Sequence, residues 1–143
     1  MVHVLVDGAN VVGSRPDGWW RDREGAARRL AGRLAAALTV DRAGLAEAFG
    51  HPGAELHVHL VLEGVAARVE DLPTHPRLLV VRARADGDST IAALAADLAR
   101  DGSGGPIIVV TADRGLRERV RDTGATTVGP GTLLNALPLT MEP

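Results

Sequence analysis

Five short apolar runs punctuate the chain, and most of them end abruptly at polar residues. The first, Val2, Val4, Leu5 and Val6, runs into Asp7-Gly8-Ala9-Asn10. It is too short for a helix and rich in β-branched residues, the pattern of a strand buried on both faces of a parallel sheet. In the second, Leu56, Val58, Leu60 and Leu62 alternate with His57, His59 and Val61 before Glu63-Gly64. Leu78 to Val81 makes a third, ending near Arg82 and Arg84. Pro106 to Val110 makes a fourth, ending at Thr111-Ala112-Asp113, and Ala125 to Val128 a fifth.

Between the strands the apolar period changes to that of a helix. Ala27, Leu30, Leu34 and Leu38 form one stripe over Arg23 to Thr39, with Asp22 as the cap. Asp41 to Phe49 is a second helical piece closed by Gly50. Ile91, Leu94, Ala95 and Leu98 mark a helix ending at Asp101-Gly102, Leu116 and Val120 one stopped by Gly124, and Leu133, Leu134 and Leu137 a last turn. Val11 to Asp22 reads as a polar loop around the Pro16-Asp17-Gly18 turn. Val65 to Pro76 holds at most a turn of helix before Pro73, and Gly102 to Gly105 reads as a flexible loop. Regular alternation of strand and helix predicts an α/β fold, a parallel sheet with helices on both faces. One domain over residues 1–138 and a short, loosely ordered tail over 139–143 are expected.

Composition narrows the chemistry. There is no cysteine, which excludes disulfides, thiolate metal sites and thiol catalysis. All 16 basic residues are arginine, and Phe49, Trp19 and Trp20 are the whole aromatic complement. A net charge of −2 neither demands nor excludes a nucleic-acid partner. No run of about 18 apolar residues suggests a membrane span. The first residues lack a signal-peptide pattern, because Asp7 interrupts the apolar run, so a cytoplasmic location is expected.

Four strand-to-helix junctions carry acids: Asp7, Glu63, the Asp86/Asp88 pair and Asp113. Each alone has an ordinary explanation as a helix cap, a turn or a solvated strand end. Together they fall on one rim of a parallel sheet, where ligands of open α/β folds bind. Like charges gathered there repel unless a cation stands between them. With no lysine and no histidine cluster to neutralise them, the expected partner is a hard divalent cation, Mg²⁺ or Mn²⁺. Such a site activates water and clamps a phosphodiester or phosphoanhydride. A Walker-type loop and a dinucleotide fingerprint are both absent. The histidines are assigned no chemistry: His57 and His59 read as a half-exposed strand face, and His3, His51 and His75 as unpaired.

The stretches Val4-Leu5-Val6-Asp7-Gly8-Ala9-Asn10, Asp86-Gly87-Asp88-Ser89-Thr90-Ile91 and Val109-Val110-Thr111-Ala112-Asp113-Arg114-Gly115-Leu116 resemble the NYN domain, close to its YacP-like branch, within the PIN-like nuclease group. The resemblance spans nearly the whole chain. It implies a sheet of order 3-2-1-4-5 and Mg²⁺- or Mn²⁺-dependent cleavage of RNA by an endoribonuclease. By motif match, Asp7, Asp88 and Asp113 take the metal-binding and catalytic positions. Asn10, Thr111, Asp86 and Glu63 take supporting ones. Two positions depart from the family pattern: Leu62-Glu63-Gly64 stands where Asp-Gly is expected, and Gly87 where related sequences often carry another acid.

An RNA path needs cations and stacking surfaces beside the acids. Arg15, Trp19, Trp20, Arg21 and Arg23 follow the first strand and Arg114 adjoins Asp113, which makes them the candidate substrate-binding residues. Two other functions fit the same residues: a nucleotide pyrophosphohydrolase, or a PIN-like module that binds RNA or protein without cutting. A homodimer, or a protein partner that positions the substrate, is compatible with either class.

Overall fold

In the computed structural model, which describes residues 1–101 and 105–139, five strands form one parallel sheet. They are β1 (Val2–Asp7), β2 (Leu56–Leu62), β3 (Leu78–Arg82), β4 (Ile107–Val110) and β5 (Thr126–Val128). Their spatial order, β3-β2-β1-β4-β5, is the one the family resemblance implies. Among the described residues six helices accompany them: α1 (Gly8–Gly13), α2 (Arg23–Val40), α3 (Arg42–Ala48), α4 (Gly87–Arg100), α5 (Arg114–Arg121) and α6 (Pro130–Ala136). The expectations for the loop at 102–104 and for the tail at 140–143 lie outside the described residues.

The inner strands β1, β2 and β4 bury both faces, the edge strands β3 and β5 are only partly covered, and alternation assigns each residue to a layer. Val2, Val4, Val6, Leu60, Ile108 and Val110 pack with Leu30 and Leu34 of α2, Leu45 of α3 and Leu133 of α6. On the other face Leu5, Val61, Ile107 and Val109 pack with Ile91 and Ala95 of α4 and Leu116 and Val120 of α5. Each fully buried Leu or Ile contributes about 1.5–3 kcal/mol. The chain runs outward from β1 through β2 to β3 and then crosses back to β4 on the other side of β1, so strand order reverses between β1 and β4. Ligand crevices of open α/β sheets open at that switch point, beyond the carboxyl ends.

Two expectations from the sequence are corrected here. The stretch read as a loop from Val11 to Asp22 is helical at its start: α1 begins at Gly8 and runs to Gly13, its first turn capped by the Asp7 carboxylate, which accepts from the Asn10 N–H. Val11 is buried beneath it. Gly8 is required because a Cβ there would meet the Val61 carbonyl oxygen at 2.6 Å, so α1 can pack directly against the end of β2. Further on, Trp19–Arg21 and Gly64–Arg68 are short 3-10 turns.

The second correction concerns the histidines. His3 and His59 are both buried, and His3 Nδ1 lies 3.1 Å from His59 Nε2, so one ring donates to the other across the β1–β2 pair. The parallel register sets His3 opposite His57, which brings all three rings together on the α4 side of the sheet. Burial, reinforced by the fields of His3 and His57, lowers the His59 pKa to about 4.

Candidate active site at the carboxyl edge of the sheet

The five acids named from the sequence meet at one place. Asp7, Glu63, Asp86, Asp88 and Asp113 line an open cavity of about 340 Å³, with Ala9 and Asn10 completing its wall. They arrive from different elements: Asp7 ends β1, Glu63 follows β2, Asp86 and Asp88 flank the start of α4, and Asp113 opens α5. Among the described residues the ion pairs are Arg28–Asp71, Arg77–Glu55 and Arg100–Asp97, so no rim acid is paired with an arginine.

Asp7 is the most deeply set, 4% exposed. The Thr111 hydroxyl donates to its Oδ2 at 2.9 Å and the Asn10 backbone N–H to its Oδ1 at 3.4 Å. Burial raises its pKa above the usual carboxylate value; the two hydrogen bonds oppose that shift, and the fields of Asp88 and Glu63 add to it. Asp88 is shifted upward as well, by partial burial and then by Asp113, Glu63 and Asp86. These carboxylates sense one another.

The supporting residues brace this edge. The Asn10 side-chain oxygen accepts the Ala112 N–H at 2.8 Å, tying α1 to the end of β4. Thr111 Oγ1 accepts the Asp113 N–H at 3.1 Å while donating to Asp7, so one hydroxyl positions both strands' acids. Asp113 caps α5 by accepting from the Leu116 N–H at 2.9 Å. Asp86 caps α4, its oxygens engaged by the Ser89 N–H at 2.7 Å and the Ser89 hydroxyl at 3.1 Å. Those bonds hold its pKa below the ordinary value. Asp86 is therefore chiefly a cap, and Asp88, two residues on in the first turn of α4, faces the other acids.

Glu63 and Gly87, the two departures from the family pattern, are neighbours. A Cβ built on Gly87 would stand 3.1 Å from Glu63 Oε1. The longer side chain at 63 thus occupies the space that a side chain at 87 would fill. One carboxylate is supplied from a different strand end.

The cation candidates divide. Trp19 and Arg23 line a second cavity of about 280 Å³, walled also by Val12, Leu62 and Ala66, which shares Ala9 and Glu63 with the acidic one. Arg15 belongs to a separate cavity on the far side of Val12, beside Arg29 and Arg33. Trp20 is half exposed and packs edge-on against Trp19, and Arg21 and Arg114 are exposed. Sequence reasoning missed Arg119 of α5, whose field lowers the pKa of both Asp86 and Asp88. No spacing in the sequence marks it, since its closeness depends on how α5 packs beside α4.

Among the described residues no three acids or histidines close on a point as a finished metal site. The acids surround a cavity. Among the described residues, too, no helix is long and apolar enough to cross a membrane.

No family model matches the sequence, and no curated protein does. Solved structures do. Rae1 (YacP) from Bacillus subtilis superposes with a TM-score of 0.68 at 24% identity, over 94% of this chain and 72% of that one. A Trp-to-Leu variant of it gives 0.62 and 23%, over 94% and 74%. In fold, then, the chain is similar to the YacP protein of B. subtilis, in agreement with the family resemblance its motifs carry.

Proposed function

We propose that the protein is a Mg²⁺- or Mn²⁺-dependent endoribonuclease that hydrolyses RNA phosphodiester bonds at the acidic edge of the sheet. The observation that carries this reading is the shared cavity: carboxylates from separate strand ends, two with raised pKa, with no arginine paired to them among the described residues. The resemblance of three motifs to the NYN domain and the YacP-like fold support it.

The donor set suits a hard cation. It offers oxygens alone, and the cavity leaves room for water, as Mg²⁺ and Mn²⁺ prefer. Asp7, Asp88 and Asp113 would hold the ion, with Glu63 as a fourth carboxylate. When bound, such a cation acidifies water and offsets charge on the phosphodiester. The chain's own residues do the rest. Thr111 and Asn10 fix the orientation of Asp7, the capping bonds fix Asp113 and Asp86, and Arg119 lies where it can balance the outer acids.

The direct test is cleavage of single-stranded RNA with Mn²⁺ or Mg²⁺ and with EDTA, for the wild type and Asp7→Asn. Cleavage that needs the cation and is lost in Asp7→Asn is expected. Cleavage that persists in EDTA, or in a folded Asp7→Asn protein with metal, would overturn the proposal.

A further inference from the structure

The cavity beside the acidic edge has a different character. Val12, Leu62 and Ala66 give it apolar walls, the Trp19 indole forms one side, and Arg23 and Glu63 place one cation and one carboxylate on it. The Arg23 guanidinium sits 5.5 Å from the Trp19 ring centre. A concave apolar site with a few convergent polar groups is the usual form of a small-ligand pocket. At about 280 Å³ it has room for one planar heterocycle.

We infer that this cavity binds one unpaired nucleobase of a single-stranded polynucleotide, seated against the Trp19 indole, with a neighbouring phosphate delivered to the acidic edge. The inference rests on the proposed nuclease reading and specifies its substrate. Three features of the site support a base over other planar ligands. An indole stacks on any base, since every base has a π face. Arg23 supplies a cation next to that indole, suited to the phosphate or sugar that accompanies the base. The cavity also joins the acidic one through Ala9 and Glu63, so an occupant of one is covalently within reach of the other. A base held in a duplex is paired and stacked on its neighbours, so only an unpaired base can lay its face on the indole, and the pocket selects unpaired strands. Glu63 accepts only, so it favours bases that present an exocyclic amine toward it.

The test separates base recognition from cleavage. In Trp20→Phe, Trp19 is the sole indole, and the Phe retains an aromatic edge against it. With Asp7→Asn added and EDTA present, no cut can occur, and Trp19 emission reports binding alone. A short single-stranded RNA is expected to quench it. An abasic strand of equal length should not quench, and a duplex of the same sequence should bind more weakly. Trp19→Ala, followed by fluorescence anisotropy of labelled RNA, should weaken binding about tenfold, with Trp19→Phe recovering most of the loss. A DNA strand of the same sequence shows whether the sugar matters.

Equal quenching by the abasic strand, equal affinity for the duplex, or unchanged affinity in a folded Trp19→Ala overturns the inference. If Trp19→Ala fails to fold, the abasic comparison decides alone. Base-dependent binding by a protein that never cuts RNA would leave the pocket standing and remove the nuclease reading. Metal-dependent cutting without base-dependent quenching would do the reverse.

Discussion

β1 carries titratable residues near both ends of the same face, and the two ends handle them differently. At the amino end His3 and His59 are buried and bonded to one another, and burial lowers the pKa of each. At the carboxyl end Asp7 is equally buried, and its pKa is raised. In both places burial favours the neutral form. A histidine becomes neutral at ordinary pH and then needs no counter-ion. A carboxylate surrounded by carboxylates is relieved only by taking up a proton or by a cation among them. The histidine end therefore needs no counter-ion as folded, while the acidic end gathers its carboxylates around an open cavity, the place where the proposed function puts a cation. The difference separates a core element from a candidate active site without reference to sequence family.

The largest effect that should break this comparison is Asp7→Asn. RNA cleavage should fall about a hundredfold or more, beyond the 10- to 100-fold typical of losing an outer partner of a metal ligand. Stability should move the other way. Because folding raises the Asp7 pKa, the native state binds its proton more tightly than the unfolded chain does, and above that pKa the ionised group opposes folding. Asn removes the charge, so the melting temperature without metal should rise by a few degrees. In the wild type, Mn²⁺ should raise the melting temperature, and in Asp7→Asn it should not. A mutant less stable than wild type in the absence of metal would mean that the acids do not strain the fold.

The histidine end predicts the opposite pH response. His59 has a folded pKa of about 4 against 6.5 in the unfolded chain, so between those values the unfolded state binds the extra proton. Stability is fully present above pH 6.5 and declines as pH falls toward 4, by about 3 kcal/mol over the window. His3, also shifted down, acts in the same sense. The groups facing the pair are His57, the amino terminus and Asp101, with Arg77 bonded to His57 and Glu55. Urea midpoints at pH 7 and pH 4.5 measure the slope, and His3→Leu/His59→Leu should flatten it. Asp7→Asn should steepen it, because the raised Asp7 pKa works in favour of the fold at low pH.

What the sequence revealed follows the same division. The inner strands were legible because burial on both faces leaves short apolar runs, and the rim acids because each sits at a junction between a strand and the helix that follows it. α1 was not. It is a six-residue helix whose first turn depends on the Asp7 cap and on Gly8 fitting under the Val61 carbonyl, neither visible as a periodicity. The histidine pair was also hidden. Alternation put His57 and His59 on one face, but only the β1–β2 register adds His3, 56 positions away from His59. Trp19 and Arg23 could be named from their place after β1, yet the cavity they share with Leu62 and Ala66 depends on how two 3-10 turns pack.

A subtler test concerns the hydroxyl that links two strands. Thr111→Val keeps the shape of a fully buried residue while removing the donor to Asp7 and the acceptor for the Asp113 N–H. Stability should fall by about 1–2 kcal/mol. Metal affinity, read from the cation-dependent melting shift, should weaken about tenfold. An unchanged metal response with lower stability would reduce Thr111 to a structural role.

The smallest expected effect bears on Glu63 and Gly87. Glu63→Ala should weaken the Mn²⁺ response a few-fold, because four carboxylates become three. Gly87 has an ordinary φ, and the space its Cβ would enter is held by Glu63 Oε1. Removing Glu63 vacates that space, so Gly87→Asp in the Glu63→Ala background returns a carboxylate to it from α4 instead of β2. The double variant should regain most of the Mn²⁺ response, while Gly87→Asp alone should crowd Glu63 and lower stability. The cavity would then be indifferent to which strand end supplies its fourth acid. Failure of the double variant, with the fold intact, would mean that Glu63 acts through the neighbouring apolar cavity it also lines and not through the metal.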